Sequence, residues 1–179
     1  WCEQQGLRCL DANQDLAALL AGEHFEHLFA ITWLSLLSEA VLLLPRVSAI
    51  NFHDGPLPRY AGLNAPVWAL ANREPTHGIT FHLIEGGVDE GDILAQRTFD
   101  LAPSETCLTL NTRCYEVAID AFADVADMPG RWELNRTKQD LSQRTYFAKD
   151  QRPEAGCTLD FTRPAADVAA LVRALDHGR

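Results

Sequence analysis

A stretch at the end of a predicted strand carries an amide and an imidazole, Asn51 and His53, two residues apart. Residues i and i+2 of an extended chain project to the same face, so both side chains are expected to point together beyond the strand. Gly55, Pro56 and Pro58 then forbid a helix or a central strand, which predicts an ordered loop at the mouth of a site. The alternative interpretation is a strand followed by a proline-rich turn, with His53 an ordinary core histidine.

A second polar stretch, residues 84–94, is a glycine-rich acidic turn between two apolar segments. Its candidate functional residue is Asp89. An aspartate at this place also has a structural interpretation, as a turn residue that bonds its own backbone. Asp92 is better placed for that role, so Asp89 is the carboxylate expected to act in a site.

The two stretches together resemble the formyltransferases that use 10-formyltetrahydrofolate, a family that includes methionyl-tRNA formyltransferase, glycinamide ribonucleotide transformylase, sugar N-formyltransferases and the formylation domains of peptide synthetases. The matching pieces are Asn-x-His at residues 51–53, Leu-Pro-Arg-Tyr-x-Gly at 57–62 and Val-Asp-x-Gly-Asp-Ile-Leu at 88–94. The resemblance is strong over residues 33–101 and weaker outside them. It implies a formyltransferase enzyme with an α/β, Rossmann-like fold, in which helices flank a mostly parallel sheet.

The resemblance assigns catalysis to Asn51, His53 and Asp89, and the chemistry gives each residue type a reason. The attacking amine must lose a proton, the formyl oxygen must carry developing negative charge, and the departing folate nitrogen must gain a proton. Asn51 offers an uncharged N–H donor to the oxygen. Histidine side chains titrate near neutral pH, so His53 can pass a proton to the leaving nitrogen. Asp89 can accept the amine proton.

The resemblance also implies which residues meet the two reactants. Backbone segments that bind the folate donor comprise Thr32, Trp33, Leu34, Ser35 and Leu36, and then Glu85, Gly86, Gly87 and Val88. A substrate loop contributes Leu57, Arg59, Tyr60 and Gly62. The implied formyl donor is 10-formyltetrahydrofolate. No metal is expected, because His53 and Asp89 offer too few ligands at a recognisable spacing.

Two departures from the family pattern bear on the acceptor amine. Many members have a basic residue where this chain has Ala61, and the usual Pro-Ser after the histidine is replaced by Asp54-Gly55. The stretch looks most like the formylation domains of nonribosomal peptide synthetases, which predicts an aminoacyl group on a carrier protein as acceptor. The alternatives are formylation of methionyl-tRNA or of a sugar amine, hydrolysis of formyltetrahydrofolate, and a degenerate module that only binds folate or a partner.

The composition narrows the partners and the compartment. The 179 residues include 25 acidic and 15 basic side chains, for a net charge of −10. This balance argues against a broad phosphate-binding surface, so a nucleic acid is not an expected partner. The longest apolar run, residues 40–44, is too short to cross a bilayer, so no membrane is expected either. Five cysteines without CxxC spacing favour a reducing cytoplasm.

Strand and helix patterns alternate along the chain, which implies right-handed crossovers and a ligand site beyond the carboxyl ends of the strands. Strands are predicted at 7–10, 25–31, 47–53, 78–84, 93–101 and 158–161, and helices at 15–21, 39–44, 63–72, 107–127 and 165–175. Residues 132–152 have a loop-like composition. We predict a catalytic domain over residues 1–130, truncated at its N-terminus within the first βαβ portion. Residues 131–179 are predicted to be a linker and the truncated start of a C-terminal region.

Overall fold

The computed structural model describes residues 1–11, 13–126, 136–153 and 157–178. The chain forms two compact units, Trp1–Ile50 and Asn51–Arg179, and each is described by itself. None of the described helices is long and apolar enough to cross a membrane.

The first unit contains short elements that lead into the functional strand. A 3₁₀ turn at Glu3–Gln5 precedes helix α1 (Leu16–Leu20), strand β1 (His27–Ala30), helix α2 (Glu39–Leu42) and the first half of strand β2 (Ser48–His53). Asp15 caps α1, because its side chain accepts the Ala18 N–H at 3.2 Å. A hydrogen bond of 2.9 Å joins His27 Nδ1 of β1 to Ser48 Oγ of β2. The helix predicted at 15–21 and the strands at 25–31 and 47–53 are confirmed, with shorter ends.

The second unit continues β2 and holds the other described elements. They are β3 (Ala61–Gly62), α3 (Ala65–Ala71), β4 (Thr76–Leu83), β5 (Ile93–Asp100), α4 (Cys107–Ala126), a 3₁₀ turn at Leu141–Gln143, β6 (Tyr146–Phe147) and α5 (Ala165–Ala174). Strand β4 lies between β2 and β5. The β4–β5 pair is antiparallel, with an irregularity between Phe81 and His82, so the sheet is not wholly parallel.

Strand β4 is the centre of the second unit because its side chains are buried on both faces from His77 to Leu83. Helix α4 contacts β4 and β5. The helix buries a stripe of small and apolar side chains at helical spacing, namely Leu110, Cys114, Ala118, Ala121 and Val125. Helices packed on a sheet confirm the predicted α/β class.

Two predicted strands and part of one predicted loop are wrong. Residues 7–10 join no β-ladder, and Leu7 is half exposed. The short strand predicted there is therefore absent. Residues 158–161 end in a turn, in which Asp160 accepts hydrogen bonds from the N–H and the hydroxyl of Thr162. Such local bonds replace the bonds of a β-ladder. Conversely, the region expected to be a loop contains β6, which pairs in parallel with β3.

Phe147 of β6 is stacked between two aromatic rings of the second unit. Its ring centroid lies 5.4 Å from that of Tyr60 and 4.5 Å from that of Trp68, with nearly parallel planes. Trp68 is a buried core residue. Gly62, the partner of Phe147 in the β3–β6 ladder, has a φ of 93°, and a methyl group there would overlap the Phe147 carbonyl oxygen. Only glycine allows this close pairing.

We expect Phe147→Ala to lower the free energy of unfolding by about 2–4 kcal/mol, because it removes buried apolar area and two stacking contacts. Tyr146→Ala is the matched control, since that neighbouring side chain is 45% exposed. It is expected to cost less than about 1 kcal/mol. Urea unfolding followed by tryptophan fluorescence measures both variants. Equal losses would contradict a stabilising role for the stack.

Candidate active site

His53 lies at the end of β2 and is held by the loop that follows it. The side chain is buried, and its Nε2 donates to the Tyr60 carbonyl oxygen at 2.8 Å. Because a carbonyl only accepts, Nε2 carries a hydrogen, and Nδ1 is the ring nitrogen that can gain or release a proton. Nδ1 faces Asp89 Oδ2 at 3.8 Å. This distance allows electrostatic attraction but is too long for a direct hydrogen bond.

Asp89 lies in the turn between β4 and β5, with a left-handed backbone conformation at φ 57°. The Gly62 N–H donates to its Oδ2 at 2.8 Å, and His82 Nε2 lies 3.3 Å from its Oδ1. The Asp89 side chain is only 9% exposed. Its carboxylate therefore faces one backbone N–H and two imidazoles. The carboxylate that accepts a backbone N–H within the turn is that of Glu90, which bonds the Gly87 N–H at 3.2 Å.

The surroundings of Asp89 favour its ionised form. Burial opposes ionisation, but the hydrogen bond from His82, the charge of His53 and the Gly62 N–H outweigh burial and hold the pKa of Asp89 below its usual value. Asp89 is therefore a carboxylate at neutral pH, and it can accept a hydrogen bond or a proton. Among the described residues there is no group of three or more His, Cys, Asp or Glu side chains that could hold a metal ion.

The structure adds a second histidine, His82, which the sequence analysis missed. The His82 side chain is buried, and its Nδ1 donates to the Leu83 carbonyl oxygen at 2.8 Å. Its Nε2 lies 3.2 Å from Asn51 Nδ2, so the ring bridges Asn51 and Asp89. The alternation of β4 could have indicated His82, since Thr80 and His82 alternate with the apolar residues Ile79 and Phe81.

The loop after His53 is anchored by side chains of β4 and β5. Thr80 donates to the Gly55 carbonyl oxygen at 2.8 Å and accepts the Leu57 N–H at 3.2 Å. Gln96 donates to the Leu57 carbonyl oxygen at 2.8 Å. The peptide bond between Leu57 and Pro58 is cis. Polar side chains of the sheet thus fix the backbone of this loop. The loop is ordered, as its sequence predicts.

The predicted substrate-loop residues have different surroundings. Leu57 and Tyr60 are buried, and the Tyr60 hydroxyl donates to Glu74 at 2.7 Å. Burial raises the pKa of Tyr60 to about 12, so its hydroxyl stays protonated. Arg59 is exposed and forms an ion pair with Glu74. Gly62 contributes its backbone N–H to Asp89. Their contact with a substrate stays a prediction.

The two predicted folate-binding segments lie in different units and are described separately. In the first unit, residues 32–36 follow β1, and the Leu34 and Leu36 side chains are both more than four-fifths exposed. Trp33 Nε1 is buried and has no hydrogen-bond partner among the described residues. In the second unit, residues 85–88 form an exposed turn.

The lowered pKa of Asp89 makes the stability of the protein depend on pH. Such a carboxyl stabilises the fold above its unfolded-state pKa, about 3.9, and this contribution is lost as the pH falls through the folded-state pKa. Between about pH 5 and pH 2, the free energy of unfolding should fall more steeply for the wild type than for Asp89→Asn. Denaturant titrations at several pH values measure this difference. Parallel pH profiles would show that the carboxylate is not stabilised by its surroundings.

Comparisons with known proteins identify the family of this chain. Residues 2–126 match the family described as Formyl transferase. Methionyl-tRNA formyltransferase of Chromohalobacter salexigens is 33% identical over 170 residues, which cover 95% of this chain and 50% of that protein. The chain thus spans about half the length of this curated relative.

Two solved structures share the fold. A 4-N formyltransferase from Francisella tularensis matches with a TM-score of 0.80 at 20% identity, over 98% of this chain and 71% of that chain. The N-formyltransferase from Helicobacter canadensis, in complex with folinic acid and dTDP-3-aminofucose, matches with a TM-score of 0.77 at 19% identity, over 97% and 61% of the two chains. With more than half of its residues matched by the family, and with this fold, the chain belongs to the formyl transferase family.

Proposed function

We propose that this protein transfers the formyl group of 10-formyltetrahydrofolate to a primary amine. The observation that carries the proposal is the cluster formed by Asn51, His53 and Asp89 in a member of the formyl transferase family. An amide donor, an imidazole and an ionised carboxylate are the groups that this reaction needs. His53 is held through its Nε2, which leaves its Nδ1 facing Asp89.

Asn51 is the residue that we assign to the formyl oxygen. Its NH₂ group can donate to the negative charge that develops on that oxygen, and an uncharged donor does so at any pH. Asn51 lies beside the pair of His82 and Asp89, since its Nδ2 is 3.2 Å from His82 Nε2.

His53 and Asp89 are the residues that we assign to proton transfer. The amine releases a proton as its nitrogen bonds to the formyl carbon, and the folate nitrogen takes up a proton as its bond to that carbon breaks. Asp89 is ionised and can accept the first proton, while His53 Nδ1 is placed to deliver the second. Catalytic hydrogen bonds often tighten only in the complex, so a separation of 3.8 Å in the free protein is compatible with these roles.

The folate donor is the proposed partner of residues 32–36 and of residues 85–88. In the first segment, the unused Trp33 Nε1 and the exposed side chains of Leu34 and Leu36 support this role. In the second, the open backbone of the turn does so. The related N-formyltransferase from Helicobacter canadensis was solved with folinic acid, a folate.

For the acceptor, we infer an amine on a carrier protein, as an aminoacyl group, rather than a tRNA. The net charge of −10 supports this inference, since six phosphate contacts on a nucleic acid require matching basic side chains and give a salt slope of about five. Ala61 is fully buried where many relatives have a basic residue, and Arg59 is paired with Glu74. Methionyl-tRNA, the acceptor in the name of the Chromohalobacter relative, and a sugar amine are the competing acceptors.

Hydrolysis of the formyl donor and mere binding are the remaining alternatives. A degenerate binding module has no need for Asn51, His53 and Asp89 together, so their joint presence favours catalysis. The location is proposed to be the cytoplasm, because all five cysteines are free.

We expect Asn51→Ala to lower kcat by about 100- to 1000-fold, through loss of an oxyanion donor. His53→Ala and Asp89→Asn are each expected to lower kcat by about 100- to 10,000-fold, through loss of proton transfer. Binding of the folate should persist in all three variants, because backbone groups hold it. Single-turnover assays with equilibrium folate binding separate the two effects. A variant that keeps near-normal single-turnover rates would remove that residue from the mechanism.

The acceptor is decided by assaying the protein with the formyl donor and one of three amines. We expect formylation of an aminoacyl carrier protein, with weak dependence on salt. An aminosugar nucleotide and methionyl-tRNA serve as parallel substrates, and formate release without an acceptor measures hydrolysis. Formylation of the tRNA alone, with a steep salt dependence, would overturn the inferred acceptor while leaving formyl transfer intact.

A further inference from the structure

Gln139 is a buried side chain that contacts the turn of Asp89 from a segment outside the family match. Its Nε2 donates to two backbone carbonyl oxygens of the turn, that of Asp89 at 3.0 Å and that of Gly91 at 2.6 Å. The Gln139 side chain has 8% relative exposure, and the family match ends at residue 126. Both hydrogens of this amide are therefore used to hold the catalytic turn.

Neighbouring residues extend this contact along the turn. Arg144 Nη2 donates to the Val88 carbonyl oxygen at 2.9 Å, and Arg144 Nε lies 3.6 Å from a Glu90 carboxylate oxygen. Thr137 pairs with Ile93 through two backbone hydrogen bonds of 2.8 Å. Gln139 and Arg144 thus donate hydrogen bonds to the backbone carbonyl oxygens of Val88, Asp89 and Gly91. Because φ of Asp89 is 57°, an unusual value for a residue other than glycine, the turn needs such external support.

The same segment also holds the other side of the cluster. Thr145 Oγ1 accepts the Tyr60 N–H at 2.7 Å, and the Thr145 carbonyl oxygen accepts the Ala61 N–H at 2.9 Å. The loop fixed in this way supplies the Tyr60 carbonyl oxygen to His53 and the Gly62 N–H to Asp89. Residues 137–147 therefore contact both the backbone that orients the imidazole and the backbone that carries the carboxylate.

We propose that Gln139 is a positioning residue for Asp89, and that Thr137, Gln139, Arg144 and Thr145 form a brace that sets the distance between His53 and Asp89. The inference rests on the proposed formyl transfer for its kinetic consequence, but its geometric content does not. Gln139 touches no reacting atom in this assignment. Its effect on the reaction passes through the backbone of Asp89.

Two variants of Gln139 test the proposal against a matched control. Gln139→Glu keeps the shape but places a carboxylate against two carbonyl oxygens, and Gln139→Asn keeps the amide on a side chain one methylene shorter. The control, Gln143→Glu, makes the same charge change on a nearby exposed residue outside the brace, whose amide donates to the Ser142 hydroxyl at 3.4 Å. Circular dichroism and melting curves confirm that each variant is folded, and Gln139→Asn carries the test if Gln139→Glu does not fold.

We expect both Gln139 variants to lower kcat by about 10- to 100-fold with KM for the amine changed less than twofold, because a misplaced catalytic group slows chemistry without removing a substrate contact. The loss in Gln139→Glu should shrink as the pH is lowered, since a protonated carboxyl can again donate one hydrogen bond. The control should keep the wild-type kcat.

A second readout is independent of activity. The Gly62 N–H donates to Asp89 Oδ2, so its hydrogen exchange reports the placement of the carboxylate, whereas the Leu63 N–H donates to the Phe147 carbonyl oxygen. Gln139→Asn should accelerate exchange at Gly62 at least tenfold and leave Leu63 unchanged. Unchanged Gly62 exchange together with wild-type kcat would overturn the proposal. If the wild type formylates no amine, the proposed function fails, and the exchange at Gly62 still decides the role of Gln139.

Discussion

The site depends on one buried carboxylate. Asp89 is almost removed from solvent, and a lone carboxylate in such a place would be neutral, because burial strongly penalises its charge. The Gly62 N–H and the imidazoles of His53 and His82 offset this penalty, and the pKa of Asp89 is lowered rather than raised. The carboxylate in turn determines what both rings can do. His53 and His82 each direct one nitrogen at it, and their other nitrogens are fixed by backbone carbonyl oxygens.

The fold supplies these partners from stretches that are far apart in the sequence. The end of β2 brings Asn51 and His53, the central strand β4 brings His82, and the short pair β3–β6 brings the Gly62 N–H. Each of these groups therefore belongs to a residue of a strand, and the pairing of that strand positions the residue. Irregular backbone occurs at the same places, since both Gly62 and Asp89 have positive φ. Strained residues at a catalytic turn persist only where the surrounding contacts determine them, as they do here.

Local patterns were enough to predict three residues that the structure brings together, but not the residues that support them. Two short motifs contain Asn51, His53 and Asp89. The helices and most strands follow from the spacing of apolar residues and from turn residues. Both kinds of pattern involve residues that are neighbours in the sequence. His82 was not predicted because it lies within a strand whose sequence is typical of a buried core strand. The brace was not predicted because the polar composition of its segment is typical of a loop. Its contacts join Gln139 to a turn some 50 residues earlier in the sequence. Pairings over such separations leave no local pattern.

An ionised Asp89 that faces one nitrogen of each of two imidazoles is the feature on which the site depends, and nitrogen NMR of the histidine rings tests it most directly. The comparison is between the wild type and Asp89→Asn, with the ring of His77 as internal control, because its Nε2 bonds the Asp54 carbonyl oxygen instead. We expect the substitution to shift the resonances of His53 Nδ1 and His82 Nε2 and to leave both nitrogens of His77 in place. Unchanged spectra for His53 and His82 would contradict the account.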